Sequence, residues 1–200
     1  VAGVDRLLAV GGEGDFIAAR YTTAGVLDAG FGTAGKINGL FNATIGHAAA
    51  VTLLPDGRAV LAGQINHQFA AVRLTASGAL DTSFGVFNDG RWQLNVVNNW
   101  NEATAVVRQA DGQLVFGGWA YSGAGSSGDF AAVRLSADGV IDTGFANAGV
   151  LIRPMAAGTK NDIARALVLQ NDDRVPTVRA LLGGEANGSN HDFALLRLWL

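Results

Sequence analysis

The 200-residue chain contains no cysteine, three prolines and three histidines. Without cysteine there can be no disulfide staple, zinc–thiolate site or thiol nucleophile, and the redox compartment stays open. Charge is sparse too. Asp, Glu, Lys and Arg make up 16% of the residues, against roughly 25% in an average soluble domain. Only two of the fourteen basic residues are lysine and the net charge is −3. The long-range attraction that carries non-specific binding to nucleic acid or anionic lipid is therefore missing, and neither partner is expected. Apolar runs fall well short of the ~20 residues of a membrane helix, so no membrane insertion is expected. The opening VAGVDRLLAVGG lacks the basic start and small-residue cleavage site of a signal peptide. What the chain does have is 28 glycines and 49% apolar residues, the makings of a sizeable core interrupted by many tight turns.

Self-similarity organises the sequence. DFIAARYTTAGVLDAGFG at 15–32 returns as QFAAVRLTASGALDTSFG at 68–85 and DFAAVRLSADGVIDTGFA at 129–146, with DFALLRLWL at 192–200 as a shorter match. The anchors Phe16, Phe69, Phe130 and Phe193 lie 53, 61 and 63 residues apart. A second repeated pair sits between the copies: HAAAVTLLPDGRAVLAGQ, EATAVVRQADGQLVFGGW, and DIARALVLQ followed by RALLGGE. Three full units and a part follow, approximately 4–56, 57–111, 112–173 and a partial 174–200, read as one repeat domain over 1–200.

Each unit contains four extended segments. Segment a (AAAVTLL, ATAVVRQ) runs into a PDGR or ADGQ turn, whose Pro, Asp and Gly favour a tight reversal, and segment b (RAVLAG, QLVFGG) follows. Segment c (FAAVRL) ends at a second Gly turn and leads through LDxxF into segment d (KINGLF, RWQLNVV, VLIRP). None shows helical periodicity over the 10–12 residues a helix needs. The expected fold is all-β, a propeller-like array of four-stranded antiparallel blades, because a small sheet buries its faces only against neighbouring sheets. A β-solenoid is the other reading. The unit count is read as a fragment of a longer repeat protein, or else as a ring closed by association of two copies.

DFAAVRLSADGVIDTGFANAGV, with DGQLVFGG before it, resembles the bacterial delta-60 repeat. The resemblance extends over nearly the whole chain. It implies a propeller-like fold in a secreted or cell-envelope bacterial protein, and brings no catalytic motif with it. Ala146 stands where the other copies have Gly32 and Gly85, and the insertion NDDRVPTVRALLGG carries Pro176, which cannot donate a ladder hydrogen bond and marks a bulge or disrupted edge strand.

Chemistry is harder to find. His47, His67 and His191 each precede a strand, at positions that differ between copies, and read as solvated loop residues; no spacing supplies the three converging ligands of a metal site. No activated serine is present. GAGSSG at 123–128 matches G-x-G-x-x-G, but the strand DFAAVRL follows it where a phosphate loop needs a helix, so it reads as a flexible loop. No cofactor is called for. Arg20, Arg73, Arg134 and Arg197 lie four residues after each anchor Phe, and Asp28, Asp81 and Asp142 follow eight residues later. These are expected to pair within each unit and fix the returning loop, while Arg197 has no such Asp. The four anchors are expected to be buried core, as are Phe31, Phe84 and Phe145.

Residues that do not recur are the better binding candidates. The b–c loops, placed at 13–15, 64–68, 119–129 and 185–192, vary in length, and variable loops on a rigid scaffold carry function. The a–b and c–d connections of an up-and-down blade emerge at one end, the b–c and d–a connections at the other. The second end carries Asn66, His67, Asn98, Asn99 and Trp100, together with Trp119, Tyr121, Asn187 and His191, with Trp100, Trp119 and Tyr121 assigned to loops. This set is the candidate surface for a glycan or protein. The leading expectation is a non-enzymatic, secreted or surface-exposed scaffold mediating binding to a carbohydrate, a protein or another copy of itself. The alternatives are a propeller-type hydrolase or lyase and a purely structural module of a larger surface protein.

Overall fold

A computed structural model describes residues 5–97, 100–121, 127–155, 161–170, 178–187 and 191–200. The strands group into four antiparallel sheets in chain order. Sheet I contains β1 (Arg6–Gly11), β2 (Ile17–Thr22) and β3 (Lys36–Ile37). Sheet II contains β4 (Gly46–Leu53), β5 (Ala59–Ile65), β6 (Gln68–Leu74) and β7 (Arg91–Leu94). Sheet III contains β8 (Asn101–Arg108), β9 (Leu114–Tyr121), β10 (Gly128–Leu135) and β11 (Val150–Arg153). Sheet IV contains β12 (Ile163–Gln170), β13 (Arg179–Asn187) and β14 (His191–Trp199). Every sheet is a meander, so the fold is all-β with propeller-like blades. No described helix is long and apolar enough to cross a membrane. The segment order a-b-c-d is that of the strands in sheets II and III, whereas the sequence units begin at segment b, so each unit's final segment joins the next sheet.

Turn chemistry recurs with the sequence. In the a–b turns Gly57 N–H donates to Leu54 O and Gly112 N–H to Gln109 O. After strand c, the N–H groups of Asp28, Asp81 and Asp142 donate back to the carbonyls of Arg20, Arg73 and Arg134, at 2.8–2.9 Å. Strand a carries a register shift at one position in each sheet that has it, between Ala48 and Ala50, Ala103 and Ala105, and Ala164 and Ala166. Opposite stand Gly63, Gly118 and Gly184, where a Cβ would lie about 2 Å from a strand-a carbonyl oxygen, so the bulge and the glycine require each other. Ala146 adopts a positive φ of 46°, as Gly32 and Gly85 do at 54° and 84°, so the backbone shape survives loss of the glycine. Pro176 lies outside the described residues.

Each sheet has a leading face, bearing the strand-c Phe and Arg, and a trailing face. Phe16 joins a core with Ala48, Leu61, Ala70 and Val72 of sheet II. Phe69 does so with Ala103, Phe116, Ala131 and Val133 of sheet III, and Phe130 with Ala164, Leu167, Leu182 and Ala194 of sheet IV. Three interfaces of one design hold the stack together. The expectation that all four anchors are buried fails at Phe193, which is 78% exposed whereas Phe16, Phe69 and Phe130 are fully buried. An anchor is covered by the trailing face of the following sheet, and no described sheet stands in front of sheet IV.

Candidate functional site

The a–b/c–d end of the sheets is built from one module used three times. Arg20 Nε donates to Asp28 at 2.9 Å, Arg73 to Asp81 at 2.7 Å and Arg134 to Asp142 at 2.8 Å, so the expected pairing is present. Each guanidinium also lies over a phenylalanine ring, Phe31, Phe84 or Phe145, 4.5–5.0 Å from its centroid, adding an attraction to the ring face. Two of the three reach the next sheet as well: Arg20 Nη1 donates to Ala76 O, and Arg73 Nη1 to Ala137 O at 2.5 Å. The residue that opens or immediately precedes strand b supplies a further donor to each carboxylate, Arg6, Arg58 or Gln113. Arg73 is only 2% exposed. Burial works against ionisation of Asp81, but hydrogen bonds from Arg58 and Ser83 and the charge of Arg73 overcome it and hold the carboxyl well below the usual range. Asp28 is lowered too, chiefly by its bond from Arg6. Arg197 is exposed, without a carboxylate partner among the described residues. All of this is scaffold: its donors and acceptors satisfy one another. A cavity of about 820 Å³ at this end, lined by Arg20, Asp28, Pro55 and Ala76 among others, lies between sheets I and II, where no described strand a stands beside β1.

The opposite end differs from sheet to sheet. Between β5 and β6 the chain reverses in two residues, Asn66 and His67, with φ of 50° and 63°. A two-residue hairpin of this kind needs positive φ at both positions and favours Asn-Gly. A histidine there is unusual, and its consequence is geometric: the imidazole is set against Trp100, ring centroids 4.2 Å apart. Asn101 fixes this junction, its backbone N–H and side-chain amide both donating to His67 O. Trp100 lies 6.4 Å from Trp119, and Trp119 meets Tyr121 edge to face at 5.2 Å. Four rings from two sheets form a continuous strip, with Trp100 42% exposed and His67, Trp119 and Tyr121 half-buried.

Trp119 and Tyr121 do not lie in a loop. Both belong to β9, which continues to Tyr121 because Asn101 and Glu102 pair with Ala120 and Trp119. Strand pairing therefore fixes the platform, and the b–c connections of sheets II, III and IV are shorter than the sequence indicates, whereas that of sheet I, at 12–16, is longer. His47 likewise lies within β4, and its Nε2 is 3.0 Å from Glu102 Oε1. Glu102 stands directly opposite Trp119, so a carboxylate and an imidazole border the strip. Sequence reasoning missed this pair; the available signal was that strand a opens with His47, Glu102 or Ile163 at one equivalent position.

The other candidates are not all gathered here. Asn66 is exposed in the turn next to His67. Asn187 ends β13 in sheet IV, its N–H bonded to Asp162 and its side-chain amide to Asn161 O. His191 begins β14, paired in register with Asn187, not in a loop. Asn98 and Asn99 lie outside the described residues, as does most of GAGSSG. Among the described residues no group of three or more His, Asp or Glu is placed to hold a metal ion. Near Asn187, burial and the neighbouring charge of Asp162 raise the pKa of Asp129.

A family model described as "Domain of unknown function (DUF5122) beta-propeller" matches residues 54–84 and 109–145. Both spans run from the a–b turn through strands b and c to the LDxxF phenylalanine, the portion of sheets II and III that contains the Arg–Asp–Phe module. The match supports a propeller-like repeat family. No curated protein matches the chain.

Proposed function

We propose that the protein is a non-enzymatic, secreted or cell-surface scaffold that binds carbohydrate through the strip His67–Trp100–Trp119–Tyr121. The observation that carries this reading is the partly exposed row of non-recurring aromatic rings held by strand pairing and a two-residue turn. Pyranose rings with equatorial hydroxyls present flat faces of C–H groups, and these pack on indole and phenol faces with little entropy cost when the rings are already fixed. The His47–Glu102 pair supplies a donor and acceptor beside Trp119 for hydroxyl groups, the small polar complement that orients a ligand on an apolar platform. The exterior location rests on the resemblance to the bacterial delta-60 repeat. A glycan array probed with the chain, and with Trp100→Ala/Trp119→Ala, tests the function. Retention of β-linked oligosaccharides by the parent and their loss by the double variant is the expected result. Equal signal from both proteins, or none from the parent, refutes it.

A further inference from the structure

Charge is divided unevenly between the two ends of sheets II and III. Arg58, Arg73, Arg91, Arg108 and Arg134 stand at the a–b/c–d end, where strands a and c close and strands b and d open. Of the basic residues in 46–153, Arg153 alone stands at the opposite end, on the outer strand β11. The segments that carry the ring strip and surround it, 41–53, 59–72, 94–107 and 113–133, contain no Lys or Arg and two carboxylates, Glu102 and Asp129. Asp129 is buried. Glu102 is the accessible one: its side chain is 19% exposed and stands opposite Trp119 in the β8–β9 register. Its ion-pair partner among the described residues is His47, whose Nε2 lies 3.0 Å from Oε1. A carboxylate only accepts, so Nε2 carries the proton that faces it. A bond from a neutral imidazole satisfies one oxygen without cancelling the charge.

The rings add to this charge. The face of an indole or phenol ring is negative and attracts a cation that lies over it. The scaffold already uses this attraction, with Arg20, Arg73 and Arg134 over Phe31, Phe84 and Phe145. Among the described residues no Arg or Lys lies over Trp100, Trp119 or Tyr121. Aromatic faces bordered by a carboxylate and free of a resident cation are the complement of an ammonium group. Building on the carbohydrate reading of the strip, we propose that it selects cationic amino sugars, β-linked glucosamine units whose amine is charged, over neutral ones. An amine at C2 projects from the edge of a pyranose ring, so a ring lying flat on Trp119 can turn it toward Glu102 while its C–H face stays on the indole. A neutral glycan gains the stacking and forgoes the charge.

Isothermal titration near neutral pH with two hexasaccharides tests this: chitohexaose, and its N,N,N-trimethylglucosamine counterpart, whose charge is fixed at every pH. The parent should bind the charged hexamer about tenfold more tightly at low salt, and the ratio should shrink as salt screens the partly exposed carboxylate. Glu102→Gln, checked for an unchanged melting temperature, should abolish the preference, whatever its affinity for chitohexaose. The salt dependence of the parent reads the same charge without any substitution. Equal affinity of the parent for both hexamers, or a preference that persists in Glu102→Gln and at high salt, overturns the selectivity and leaves the carbohydrate reading standing. Binding of neither hexamer overturns both. So does a trimethyl-lysine peptide that binds where both sugars fail, which would assign the strip to a protein tail.

Discussion

The two ends of the sheets are built from the same strands but obey different rules. At the a–b/c–d end sheets I to III repeat one module, Arg on its Phe ring and Asp beside the Arg, and in sheets I and II a carbonyl of the next sheet is a third partner. At the b–c/d–a end backbone bonds recur, Asn101 N–H to His67 O and Asp162 N–H to Gly128 O, but the side chains at the tips differ from sheet to sheet. One sheet turns through Asn66–His67, another carries Trp119 and Tyr121 to the tip of a strand. Charged groups taken out of water must be satisfied in full, so the first end cannot vary without loss of the stack. At the second end buried Asp15, Asn101 and Asp162 hold the loops, while the partly exposed side chains at the tips, Trp100 among them, can change without disturbing the cores between sheets.

The sharpest way to break this comparison is at Asp81. Removing it leaves the buried Arg73 without its carboxylate, while Arg58 keeps Asp56, and Asp81→Ala should cost on the order of 3 kcal/mol in denaturant unfolding, as expected when one partner of a buried pair is lost. Asp28→Ala, in the more open module of sheet I, should cost less. Equal losses would show that burial does not set the module's worth. Acid is the next lever. Because the folded-state pKa of Asp81 is lowered, its stabilisation is fully present above the unfolded value of about 3.9 and is lost as pH falls through the folded value. Stability measured by urea unfolding should therefore decline below about pH 4 in the parent and decline less steeply in Asp81→Asn. A parallel decline in both would assign acid sensitivity elsewhere. The smallest effect is expected at His67. His67→Gly relieves a positive φ that is uncommon for any residue with a side chain, so stability should hold or rise by up to about 1 kcal/mol, while glycan affinity falls with loss of the ring against Trp100.

Much of the scaffold was readable from spacing alone. The Arg–Asp pairs were legible because strand alternation puts Phe and Arg on one face and a fixed offset returns the Asp to it. The strand-c segments were legible for the same reason. Phe193 was misread because recurrence indicates an equivalent position, whereas burial depends on a neighbouring sheet that the position itself does not specify. Trp119 and Tyr121 were misread because segment b was ended at QLVFGG, just before them; pairing with Asn101, Glu102 and Gly128 extends the strand through them. The ring contact between His67 and Trp100 joins two sheets, and the bond between His47 and Glu102 spans 55 residues. No local pattern carries such contacts, although the variable positions that supply them were visible.

The division between a fixed end and a binding end is tested most directly by measuring melting temperature and affinity for soluble cellohexaose and chitohexaose together, in Trp100→Ala/Trp119→Ala and in Asp81→Ala. The account predicts a crossed result. The Trp variant melts with the parent and loses the oligosaccharide, while the Asp variant melts lower and, below its own transition, binds as the parent does. Undiminished binding by the Trp variant, or loss of binding in folded Asp81→Ala, would contradict it.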